Sequence, residues 1–298
     1  MAPRARIIGD LRTVVGESLV WSARDESLFL VDIVGRQIVS YRPEGDAFRT
    51  WQTPEFATSI GLRRGGGFIV GLEKRVLAWE PGGEFGNTLA VPEPEIPDNR
   101  LNEGAVAPDG SYWLGTMETN LDASGNPRGQ TRRSGSYYRL TPDLDVQRLT
   151  PPDYGITNTM AWLPGDRFVT ADTLANTLYV FEMRGAGEIV NREIFHAGFP
   201  RGLPDGSCLD EEGYLWNCRV AGGACLVRFA PTGAVDRIVE LPCSWPTSCT
   251  FGGADLGTLY VGTARFTMSE KHLEENPQEG ALLALDVGVR GVPAHLFG

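Results

Sequence analysis

The sequence predicts an all-β fold, a six-bladed β-propeller with four-stranded antiparallel blades around a central channel. The first observation behind this is a repeat. A polar residue stands four positions ahead of an apolar one at Glu17/Trp21, Thr58/Leu62, Asn102/Val106, Asn158/Trp162, Asp205/Leu209 and Thr247/Phe251. Successive copies lie 41 to 56 residues apart, the spacing of one supersecondary unit per repeat. The second is that short β-branched and aromatic runs, bounded by Gly, Pro and Asp turns, follow each copy. The third is that no stretch sustains helical periodicity beyond about two turns.

Taken in order, copies one and two offer Val31–Asp32 and Ile69–Val70 as second strands. Copy three runs from Val106 through a Pro-Asp-Gly turn to Tyr112–Gly115, then Ser136–Leu140 and Val146–Leu149. Its Asp109-Gly110 pair suits a hairpin that needs positive φ. Copy four gives Phe168–Asp172. Copy five is the clearest, with Tyr214–Trp216, Leu226–Phe229 and Asp236–Leu241 after Leu209, and copy six gives Leu259–Thr263. The one helical candidate, Ser269 to Glu275, begins on a Ser cap and lies within a loop. A sandwich accounts for short strands but not for six copies of a four-strand unit.

The 298 residues are expected to form a single domain, 1–298, because no blade buries its faces alone. The net charge of −11 and the dispersed Arg and Lys argue against nucleic acid and anionic membrane as partners. No apolar run is long enough to span a membrane, and the first residues lack a signal-peptide core. Five cysteines (208, 218, 225, 243, 249), mostly within predicted strands, read as reduced thiols of a cytoplasmic protein. A monomer or weak homo-oligomer is expected.

In a propeller the start of each inner strand and the end of each second strand share one face. Glu17, Asn102, Asn158 and Asp205 therefore ring one channel mouth, with Asp32, Glu118, Asp172 and Arg265 from second-strand ends and Arg100 beside them. Carboxylates converging on a narrow channel repel one another, and a hard cation at their centre resolves that. Any one of them alone reads as a strand-end cap; the set at one repeat phase reads as a metal site. His196, His272 and His295 all miss the repeat phase, which disfavours a Ser-His-Asp triad or a His-rich zinc site. Gly65-Gly66-Gly67 reads as a hairpin turn, not a phosphate loop.

The stretches Gly16-Glu17-Ser-Leu-Val-Trp21, Arg100-Leu-Asn102-Glu103-Gly104, Gly115-Thr-Met-Glu118, Ile156-Thr-Asn158, Pro204-Asp205-Gly206 and Leu209–Trp216 fall in the order found in one family. The chain resembles the senescence-marker-protein/gluconolactonase/regucalcin family of sugar lactonases, nearest its bacterial aldonolactonase branch. The resemblance implies hydrolysis of a sugar lactone (arabinono-, xylono-, galactono- or gluconolactone) with one divalent metal ion: Ca, Mg, Mn, Zn or Fe(II). It implies Glu17, Asn158 and Asp205 as metal ligands and Arg100, Asn102 and Glu118 as residues that hold the sugar. Asp205 is the expected general base, with Asp172 as second candidate. Two positions depart from the family pattern: Glu103 where Asp is usual, and Thr159 where Gly is usual. Two other readings stand beside this one: a non-catalytic calcium-binding propeller, and a metal-dependent propeller esterase or phosphotriesterase.

Overall fold

The alternation within each repeat folds as four antiparallel strands, and six such sheets stand around a channel as a β-propeller. The computed structural model describes residues 4–185 and 187–298. From the channel outward, the first blade runs Gly16–Ser22, Ser27–Asp32, Gln37–Arg42 and Ala47–Gln52. The inner strands of blades two to six are Ser59–Arg63, Asn99–Val106, Thr157–Leu163, Leu203–Leu209 and Pro246–Gly252. The predicted helix is present as Glu270–Glu275, with the Ser269 side chain accepting from His272 N as its cap.

The second strand of each blade is buried on both faces because each blade is sandwiched between its neighbours. Phe29 of blade one meets Phe68 of blade two with ring centroids 4.4 Å apart, and Trp113 meets Phe168 across the next seam but one at 4.6 Å. Outer strands such as Val146–Arg148 face solvent. Turn aspartates lock the hairpins: Asp210 accepts from Glu212 N, Tyr214 N, Trp216 Nε1 and Arg228 Nε.

The ring closes with strands from both ends of the chain, which the repeat did not reveal. Arg6–Ile8 forms the outer strand of blade six, with Arg6 opposite Ala284 and Ile8 opposite Leu282. Leu296–Phe297 pairs parallel to the inner strand of blade two.

One irregularity recurs at the repeat phase. The ladder between first and second strands shifts register at Glu17/Val20, Leu101/Gly104, Asn158/Met160, Pro204/Ser207 and Pro246/Ser248. Blade two, whose polar residue is Thr58, pairs without a shift. A β-bulge bends its strand and re-aims the side chain at that point. The polar residue four ahead of an apolar one is thus a bulge followed by regular strand.

Candidate active site at the channel mouth

The bulges assemble the site. Glu17, Asn102, Asn158 and Asp205 all sit on or beside them, on four different blades. Hydrogen bonds tie three of those blades together. Asn102 Nδ2 donates to Thr157 O at 2.9 Å and lies 3.4 Å from Asn158 Oδ1. Asn158 Nδ2 donates to Thr173 Oγ1 at 2.8 Å, and Thr173 Oγ1 donates to Pro204 O, the carbonyl just before Asp205. The amide of Asn158 is thereby oriented, and its Oδ1 keeps only a long contact.

Asn158 and Asp205 are buried, and Glu17 is half-buried. Burial raises the Glu17 carboxyl well above the ordinary carboxylate range, and the charges of Asp205 and Glu103 raise it further. Asp205 is raised likewise, by burial first and then by Glu103. Glu103 itself is pushed up to about 7, mainly by burial. Three carboxyls in mutual repulsion are a charge imbalance that the nearby Arg100 offsets only in part. Asp205 Oδ1 is buried with no hydrogen-bond partner, a costly state for such an oxygen.

That chemistry fits a hard divalent cation: two carboxylates and one oriented amide oxygen, each short of donors. Among the described residues no three His, Cys, Asp or Glu side chains form a metal-binding group by themselves.

Arg100 is 5% exposed, and its guanidinium is held by Leu101 O and Asn102 Oδ1 at 2.8 Å and by Asn120 Oδ1 at 2.9 Å. Burial lowers it to about 10, against the pull of Glu73 and Glu17, so it stays charged at neutral pH. Its Nε is buried without a partner and remains a free donor.

Glu118 is occupied differently. Its Oε1 accepts from Thr131 Oγ1 and Arg132 Nε, and its Oε2 from Thr131 N and Arg132 N. A carboxylate has about four lone-pair sites, so these contacts fill it. Burial raises this carboxyl, but the backbone donors of Arg132 and Thr131 outweigh that and bring it to about 2. The excursion Thr119–Ser134 is thus clamped against the mouth, where Asn120 reaches Arg100.

Asp32 and Asp172 share a repeat phase and do the same structural work. Asp32 accepts from Val14 N, Val15 N and Gly35 N. Asp172 accepts from Gly155 N, Ala175 N and Arg133 Nη2. Both carboxylates cap the loops that enter and leave their blades. Arg265 belongs to the same rim, where its backbone N donates to Val14 O.

Thr159, beside the Asn158 ligand candidate, has φ of 54°. That backbone suits glycine, and a β-branched residue there costs on the order of 1–3 kcal/mol. Its hydroxyl offsets the strain by donating to Asp205 O at 2.6 Å and meeting Ser207 Oγ at 2.8 Å. Thr159 therefore links the bulges of blades four and five, a role the sequence hinted at only through the missing glycine.

A separate cavity lies beyond this mouth. About 720 Å³ of channel lies beyond the bulges, lined by Leu19, Glu103, Met160, Cys208 and Cys249 and bordered at the far end by residues 292–295. Glu103 faces that chamber while its charge acts on Glu17 and Asp205.

Residues 15–265 match the family described as SMP-30/Gluconolactonase/LRE-like region. The chain is 32% identical to regucalcin of Gallus gallus, covering 97% of each chain. It is also 32% identical to 6-deoxy-6-sulfogluconolactonase of Pseudomonas putida, over 96% of this chain and 95% of that one. Among solved structures, a calcium-binding protein, regucalcin, from Agrobacterium tumefaciens superposes with a TM-score of 0.89 at 23% identity, covering 99% of this chain and 97% of that one. That likeness carries the fold. The match over most of the length and the identity to the curated relatives carry more: the chain belongs to the SMP-30/gluconolactonase/LRE-like family.

Proposed function

We propose that the protein hydrolyses a sugar lactone, an aldonolactone such as an arabinono-, xylono-, galactono- or gluconolactone, to the aldonic acid. In this reading Glu17, Asn158 and Asp205 hold one divalent metal ion. The observation that carries it is the partnerless, buried Asp205 Oδ1 among mutually repelling carboxyls, with the free Nε of Arg100 at the same mouth. The lactonase name of the Pseudomonas putida relative supports the substrate class.

A divalent ion, when bound, supplies polarisation of the lactone carbonyl and stabilisation of charge on its oxygen. The remaining work falls to side chains. Asp205 has an oxygen with no hydrogen-bond partner beside the ion it would hold, so it takes the proton of the attacking water and returns it to the departing ring oxygen. Asp172, with its oxygens committed to Arg133, Gly155 N and Ala175 N, is the weaker candidate for that step. Arg100 offers Nε to an oxygen of the lactone, and Asn102 fixes the guanidinium in place. Glu118 acts through the excursion it clamps, which walls the pocket and brings Asn120 to Arg100.

Acid release from a panel of aldonolactones, with and without a chelator, tests the proposal. Turnover that disappears on chelation and returns with a divalent ion is the expected result. Stoichiometric metal binding with no turnover on any lactone would favour the purely calcium-binding reading that the Agrobacterium tumefaciens relative suggests.

A further inference from the structure

Three thiols meet at the seam between blades five and six, outside the machinery assigned above. Cys208 lies on the inner strand of blade five, Cys218 on the strand beside it, and Cys249 on the inner strand of blade six. The Sγ atoms of Cys208 and Cys249 are 3.5 Å apart, and the Cys249 thiol also meets Trp216 O at 3.6 Å. Cys208 is partly exposed, whereas Cys218 and Cys249 are buried. Both Cys208 and Cys249 line the channel chamber of about 720 Å³, so a small solute in that chamber reaches them. Cys225 packs in the core between blades four and five, and the Cys243 thiol donates to Gln278 O.

We propose that Cys208 and Cys249 form an oxidisable dithiol that closes to a disulfide across this seam when a peroxide enters the channel. The neighbouring thiols bring the Cys249 thiol below its ordinary value, while burial raises those of Cys208 and Cys218. The charges of Glu103, Asp205 and Asp210 act on the cluster. The Cys249 thiolate attacks one peroxide oxygen, breaking the O–O bond and leaving a sulfenic acid and hydroxide, which becomes water by taking a proton. The Cys208 sulfur then attacks the Cys249 sulfur; the S–S bond forms and the sulfenyl hydroxyl leaves as a second water. Two electrons and two protons pass from the thiols to the peroxide. The sulfurs close from 3.5 Å to about 2.0 Å, a movement within reach of side-chain rotation. The crosslink would tie the strand that carries Asp205 to the neighbouring blade.

The test treats the folded protein with a few equivalents of hydrogen peroxide, then maps the peptides by mass spectrometry. Trypsin combined with a glutamate-specific protease separates Cys208 from Cys218 at Glu211 and Glu212, and fragmentation N-terminal to Pro246 in the tandem mass spectrum distinguishes Cys243 from Cys249. The expected result is loss of two of the five free thiols, a Cys208–Cys249 linked peptide, and its reversal by dithiothreitol. Cys208→Ser should abolish the link and Cys225→Ser should not. Five surviving thiols, sulfinic acid without a link, or a link through another cysteine in the wild-type protein would each overturn the proposal without need of any variant.

Discussion

Replacing Glu103 by Gln should stabilise the metal-free protein at alkaline pH and do little of the kind in acid. The Glu103 carboxyl is raised from 4.5 to about 7, by burial first, with the Gly104 amide offsetting part and Cys249 adding to it. Because the folded state binds this proton more tightly, the cost of ionising it is absent below the unfolded value. It grows as pH rises towards the folded value and saturates above it. At about 1.36 kcal/mol per pKa unit, the charged form costs the fold roughly 3 kcal/mol at pH 8 and under 1 kcal/mol at pH 5. The stability difference between Glu103→Gln and wild type should therefore shift by about 2.5 kcal/mol between those two pH values, or roughly 5 °C in Tm for a chain of this size. Thermal or urea unfolding in chelator at both pH values measures it. Any fixed cost of burying the amide cancels in the comparison. A difference between variant and wild type that is the same at both pH values would refute the claim that burial raises the Glu103 carboxyl.

Four other outcomes follow from the site. Asp205→Asn should lower lactone turnover by about three decades, since it removes both a ligand and the base, and metal content should fall with it. Arg100→Ala should lower kcat/KM by roughly one to three decades while metal titrates in normally, if Arg100 holds the substrate as proposed. Glu118→Gln should loosen the excursion it clamps, read as faster amide exchange at Thr131 and Arg132, whose backbone donors it now holds. Thr159→Val should cost about 1–3 kcal/mol by removing the hydroxyl that joins Asp205 O to Ser207 Oγ, which then keep only Asn217 Nδ2, whereas Thr159→Ser keeps the hydroxyl and most of the stability.

The propeller was legible because each blade repeats one polar-to-apolar step, and that step proves to be a β-bulge at five of six positions. Glu17, Asn158 and Asp205 emerge as candidate ligands from the same periodicity. What the periodicity could not rank was the work done by each polar residue on the rim. Asp32, Asp172 and Glu118 share a phase with genuine site candidates, yet their oxygens are filled by backbone amides of loops whose paths no spacing reveals. The closing strand Arg6–Ile8 escaped notice because it pairs with Leu282–Asp286 from the other end of the chain. The thiol cluster was hidden for a related reason. Cys208 and Cys249 are 41 residues apart and meet only because neighbouring inner strands converge on the channel.

The central claim is that three blades each contribute one oxygen ligand to a single centre, and calorimetric titration of metal into chelator-stripped protein tests it most directly. Wild type should bind one divalent ion per chain at high affinity. Glu17→Gln, Asn158→Ala and Asp205→Asn should each lose that binding while keeping the wild-type circular dichroism and a cooperative melt. If any one of the three variants takes up the ion with wild-type affinity, that blade does not supply a ligand and the centre drawn here is wrong.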